Sequence, residues 1–423
     1  MRSSFSSRLP WPAHDNALAS LRAELRAKGK AILDLSESNP TRVGLYDDAD
    51  LDSLLGSLLK AANLRYEPDP RGILGAREEL AADYASRKDF GMSPGSEGPG
   101  PERLFLCAST SEAYGWLFKL LCDPGDAVLV PKPGYPLFDY LAGFESIEAR
   151  SYRLDYAHPS GWRIDLDSVK SALDAGRAKA LVLINPNNPT GSYLRAEERK
   201  ALVELCARSG CALIADEVFY GFPVEADRDL ADGGRSSFVG ERGRSSFIGE
   251  RQVLTFVLDG LSKRLGLPQM KLGWIAASGP APELEEALGR LEIIADAYLS
   301  AGAPIQNALP ELLASSADFA ARTRLRLTRN METLRSLLEG PLSPHRVLRC
   351  EGGWTAIVES PRLLPEEELA LGLLREEALW SQPGYFFDME REAFFTFGLI
   401  LRPEDLERGA RAYAAFFERL MKR

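Results

Sequence analysis

The chain is 423 residues long, with 45% apolar and 26% charged residues and a formal charge of −10. That length exceeds one small core, so a two-domain globular protein is expected, and the acidic balance argues against nucleic acid as the main partner. No run of about 18 apolar residues is present to span a bilayer, and the opening "MRSSFSSRLPWPAHDNAL" lacks the apolar stretch of a secretory signal, so a cytoplasmic protein without a membrane partner is expected.

In chain order, residues 1–44 are expected to pack with a small C-terminal domain. From Leu104 short apolar runs alternate with amphipathic stretches: "RLFLC", the helical "SEAYGWLFKLLCD", "DAVLVP", a segment from Tyr135, "AKALVLINP", a helix from Arg195 to Ser209, and "CALIADEVF". Such spacing predicts βαβ units in a parallel sheet buried on both faces. "RQVLTFVLDGL" and "KLGWIAAS" add two strands and complete an α/β domain over residues 45–295. Beyond it, a long helical pattern from Ala303 to Leu338 precedes "HRVLRCEGGWTAIVES", two strands around a Gly-Gly turn, then helices from Pro365 and Pro403. These form a smaller α+β domain over residues 296–423.

"SPGSEGPGPE" and "GPLSP" read as connectors. "GRSSFVGER" at 234–242 is repeated at once as "GRSSFIGER" at 243–251, differing only at Val239 and Ile248. Too short for a solenoid unit, the pair is expected to be a duplicated surface loop. The five cysteines (Cys107, Cys122, Cys206, Cys211, Cys350) are scattered in mostly apolar surroundings and predict reduced thiols rather than disulfides. His14, His158 and His345 have no second His or Cys at ligand spacing, which argues against a metal site.

Ligands of an open parallel sheet bind beyond the carboxyl ends of its strands. Four such positions carry unusual chemistry. "NPNNPTG" (Asn185 to Gly191) follows one strand and presents an amide from a rigid turn. Asp216 ends another, a carboxylate whose burial implies a cationic partner. "ASTSEA" opens a helix with three hydroxyls, as a phosphate site at a helix N-terminus requires. Ser262 and Lys263 follow "LTFVLDGL".

That ordered set, "NPNNPTG…ADEV…SK…LGW", resembles the fold type I, class I/II aminotransferases that use pyridoxal 5′-phosphate, over about residue 30 to the C-terminus. The resemblance implies a large domain with a mostly parallel central sheet flanked by helices plus a small α+β domain. It implies that Lys263 forms the Schiff base with the cofactor and shuttles the proton, and that Asp216 pairs with the pyridine nitrogen. Asn188 would bond the ring 3-oxygen, Tyr135 would stack on the ring, and Ser109, Thr110, Ser111, Ser262 and Lys271 would hold the phosphate. Tyr66 would reach the phosphate of the neighbouring subunit in a homodimer. Asn39 and Arg42, in or beside "ESNPT", would line the substrate pocket, and Tyr298 and Ser300 would approach an active site or pack as core. The implied partners are an amino donor and a 2-oxo acid acceptor.

Three positions depart from the family pattern. Lys271 stands where arginine is usual, giving a point charge instead of a fork. Phe219 stands where many members have a tyrosine that bonds the 3-oxygen, so Tyr220 or another donor has to compensate. Phe395 is expected at the place of the arginine that clamps the substrate carboxylate, with Arg42, Arg391 and Arg402 as substitutes. The Trp354 stretch is expected to be a small-domain strand and no pocket wall. That missing arginine keeps a lyase or decarboxylase on the same fold open beside transamination; a ligand-sensing module and a cofactor-free scaffold are the remaining alternatives.

Overall fold

The computed structural model describes residues 6–8, 16–46, 48–87, 98–224, 244–299 and 301–422. Ser300, the first repeat copy and residues 93–97 of the connector lie outside them.

The apolar runs form one eight-stranded sheet: β1 (Leu104–Cys107), β2 (Ala127–Lys132), β3 (Glu148–Ala157), β4 (Gly161–Ile164), β5 (Ala178–Ile184), β6 (Ala212–Asp216), β7 (Thr255–Gly260) and β8 (Gly273–Ser278). Its spatial order is β1-β8-β7-β6-β5-β2-β3-β4. The pairings from β3 through β2, β5 and β6 to β7 are parallel, whereas β8 runs antiparallel to both neighbours. Successive residues point to opposite faces. Phe105 and Cys107 therefore join a core with Trp116, Phe118, Phe256 and Leu291 on one side, while Leu104 and Leu106 join Leu213 and Trp274 on the other. The hairpin β3/β4 is a strand pair that the expected parallel units omit. It forms an edge, so its buried residues Tyr152 and Leu154 alternate with exposed ones instead of making a continuous apolar run.

The small sheet, β9 (Arg346–Val347), β10 (Thr355–Glu359) and β11 (Phe394–Gly398), is antiparallel. Helix α1 (Thr110–Leu121) and helix α2 (Ala281–Tyr298) cover the large sheet; α3 (Ser316–Leu338) and α4 (Pro403–Met421) pack on each other. The expected single helix from Ala303 is in fact three pieces, Ala303–Asn307, Leu309–Ala314 and α3, because Pro304 and Pro310 fit only a first helical turn. Leu33–Asp34 pairs in parallel with Leu379–Trp380, which ties the N-terminal segment to the C-terminal one.

The surface-loop expectation for the repeat fails for its second copy. Ser245, Ser246, Phe247 and Ile248 are all buried. The cause is Glu217, a buried carboxylate that needs donors: Ser246 Oγ donates to it at 2.6 Å and Phe247 N–H at 3.0 Å. Asn185 Nδ2 also donates to the Ser245 carbonyl at 2.7 Å, so the copy is wedged between two strand ends.

Candidate active site

Strand register brings the candidate residues to one edge of the sheet. Asp216 lies opposite Ile184 on β5 and Leu258 on β7; Gly260, the last residue of β7, pairs with Gly273, and Gly273 pairs with Cys107. The segments after β1, β5, β6 and β7 and before β8 thus open onto the same ground. Gly273 makes the closeness possible, because a Cβ there would meet Thr110 N and Ser109 C at 3.3 Å. Lys271, two residues earlier, is held in the left-handed region at φ 52°, exposed and without an ion-pair partner among the described residues.

Ser109 caps α1, its Oγ accepting the Glu112 N–H at 3.1 Å, while Glu112 accepts Ala108 N–H at 2.6 Å. Ser109, Thr110 and Ser111 are all partly exposed on the positive end of the helix. Ser262 is likewise partly exposed, one residue before Lys263.

Asp216 is 8% exposed. Its carboxylate accepts the Tyr114 hydroxyl and the Val218 N–H, each at 3.2 Å, and no ion pair among the described residues includes it. Burial pushes its pKa up to about 6, against the pull of those two donors and of Lys263. Lys263 is shifted the other way, its ammonium disfavoured by burial and only partly supported by Asp216. Tyr135 is 39% exposed, and its hydroxyl is raised by burial and by the Asp216 charge. Asn188 is partly buried, and its amide has no hydrogen-bond partner among the described residues. Tyr114 was missed from the sequence. A tyrosine in the buried stripe Ala113, Tyr114, Leu117, Phe118 was the signal, since a buried phenol needs a partner.

The strand expected over the Trp354 stretch forms at Thr355–Glu359, and Trp354 just before it stands beside the lysine: its ring centre lies 5.2 Å from Lys263 Nζ, and that of Phe219 lies 5.4 Å away. The strand starts only at Thr355, after a Gly-Gly turn pinned where Glu351 and Gly352 N–H donate to the Gly191 carbonyl at 3.0 and 2.9 Å. Phe395 does not face the site. It is fully buried, its ring packed on Tyr413 and Phe417 of α4, and Phe397 shares that side. The alternation of β11 turns Thr396 to the opposite face, so this strand offers no cation on either side.

Of the substitute arginines, Arg391 pairs with Glu359 at 3.4 Å, at the end of β10 remote from Trp354. Arg402 is exposed at the start of α4. Arg42 is exposed and 3.6 Å from Glu37; Asn39 turns inward on its own loop, accepting from Thr41. Tyr220 packs its ring on Tyr193 at 5.6 Å. Tyr298 packs against Trp116 and Lys119 of α1, and Tyr66 is 81% exposed.

Residues 59–412 match the family model described as "Aminotransferase class I and II". The glutamate-pyruvate aminotransferase AlaA of Haemophilus influenzae is 28% identical over 302 residues, 71% of this chain and 67% of that protein. Nicotianamine aminotransferase 1 of Oryza sativa is 29% identical over 68% of this chain and 54% of its own length. The chain thus spans about half to two thirds of these relatives. Among solved structures, an alanine aminotransferase from Pyrococcus furiosus superposes with a TM-score of 0.82 at 21% identity, covering 99% of this chain and 100% of that one. A double mutant of Thermus thermophilus aspartate aminotransferase gives 0.79 at 22% identity, covering 98% and 100%.

Proposed function

This chain belongs to the class I and II aminotransferase family, whose members depend on pyridoxal 5′-phosphate, and from that membership we propose that it transfers an amino group between an amino acid or related amine and a 2-oxo acid. The observation that carries the reading is the placement of two groups at the ends of neighbouring strands: Asp216, a buried carboxylate without an ion-pair partner among the described residues, and Lys263, set between the rings of Phe219 and Trp354.

The donor set suits the cofactor. Asp216 would hold a protonated ring nitrogen, Asn188 would donate its free amide to a ring oxygen, and Tyr135 would lie on the ring face. The first turn of α1, with Ser262 and Lys271, would take the phosphate. When bound, the cofactor supplies a carbonyl that condenses with amines and a ring that accepts the electron pair released at the substrate carbon. Lys263 Nζ, easier to deprotonate than an exposed lysine, serves as nucleophile and carries the proton between carbons. Arg42 and Asn39 are the proposed contacts for the donor's polar end. A homodimer is part of the proposal, with Tyr66 serving the neighbouring site; exposed Leu59, Leu64 and Tyr66 on one connection support it. Five cysteines outside any disulfide, four of them buried, support a cytoplasmic location.

The test is a screen of amino donors followed by the change in cofactor absorbance. Transamination accumulates the amino form of the cofactor, and a 2-oxo acid then reverses it. Product formed without that accumulation favours the lyase alternative instead.

A further inference from the structure

Trp354 is 2% exposed, and its indole N–H has no acceptor among the described residues. Native proteins keep few such orphan donors, because each has lost its water without gaining a partner. Its ring stands 5.2 Å from Lys263 Nζ and meets the Phe219 ring edge-on at 5.5 Å. Phe222 meets the same ring edge-on at 5.2 Å, so the corner is aromatic. Phe219 brings no hydroxyl to this corner, and the ring of Tyr220 is engaged on Tyr193. The turn before Trp354 is clamped to Gly191, whose φ of +70° and contacts with Cys350 and Gly352 leave no room for a Cβ. The turn that carries the indole is therefore held in place beside the lysine.

We propose that the Trp354 indole N–H donates to an anionic oxygen of the loaded site, replacing the hydroxyl that Phe219 lacks. The oxygen belongs either to the cofactor ring or to the carboxylate of the amino donor, and the role is one of positioning and charge stabilisation. A buried donor acts on negative charge more strongly than the same donor in solvent. This rests on the cofactor reading above.

Trp354→Phe keeps an aromatic ring and removes the N–H. If the ring oxygen is the acceptor, the pH midpoint of the visible absorbance of the loaded enzyme rises by about one unit, and adding Phe219→Tyr brings it back. If the donor carboxylate is the acceptor, that midpoint stays and KM for the amino donor rises about tenfold, with kcat changed less. A folded variant that matches wild type in both measurements overturns the proposal. Should Trp354→Phe not fold, the indole proton resonance of Trp354 in the wild type decides: it moves downfield on loading or on adding a donor analogue, and a resonance unmoved by either overturns the proposal. A wild type that takes up no cofactor overturns the underlying function instead, which keeps the two failures distinct.

Discussion

Burial pushes Asp216 up to about 6 from an ordinary value of 3.8. The folded chain therefore holds that proton more tightly than the unfolded chain, and ionising the group costs stability: a difference of about 2 units is roughly 3 kcal/mol. The cost is complete above pH 6 and fades as pH falls toward 4. Asp216→Asn is thus predicted to stabilise the cofactor-free chain at pH 7 by on the order of 2–3 kcal/mol, with no gain near pH 4, while removing turnover. Denaturant unfolding at the two pH values checks this, and destabilisation at pH 7 contradicts it. The placement of Lys263, Asp216 and Asn188 at one edge of the sheet was legible in the sequence, because each ends or follows an apolar run that had to be a strand. Trp354 and Tyr114 were not, since an aromatic residue inside an apolar stretch reads the same whether it packs a core or faces a lysine. Phe395 was misplaced because one residue of register exchanges the two faces of a strand.

The strands and most helices followed from apolar runs, and the misses have physical causes. Prolines interrupt the helix before α3, an edge hairpin alternates its burial, and a repeated segment sinks into the core through hydrogen bonds to Glu217 that no periodicity announces. That last point yields a prediction about the repeat. Deleting 234–242 or 243–251 leaves chains that differ only by Ile or Val at one position. In the described copy that position is Ile248, 1% exposed. Both deletions should fold and turn over, with the chain that keeps Val less stable by about 1 kcal/mol. Thermal unfolding and activity measure it; loss of folding only on deleting 243–251 contradicts it.

At the scale of the molecule, Tyr66 lies on an exposed connection with Leu59 and Leu64, and the proposed dimer gives that exposure a purpose. Mixing Tyr66→Ala chains with Lys263→Ala chains rebuilds one site carrying both wild-type residues, so the mixture should regain activity that neither parent has. A mixture as inactive as its parents would remove Tyr66 from the neighbour's site. The whole architecture converges on the edge where β1, β5, β6 and β7 end and β8 begins, and its two lysines are assigned unequal tasks. Lys263 is partly buried against aromatic rings and Asp216, whereas Lys271 is exposed beside the helix N-terminus. The direct test compares Lys263→Arg with Lys271→Arg, each incubated with pyridoxal 5′-phosphate and assayed for visible absorbance and amino transfer. Lys271→Arg is predicted to retain both and Lys263→Arg neither; equal behaviour of the two variants would contradict the account.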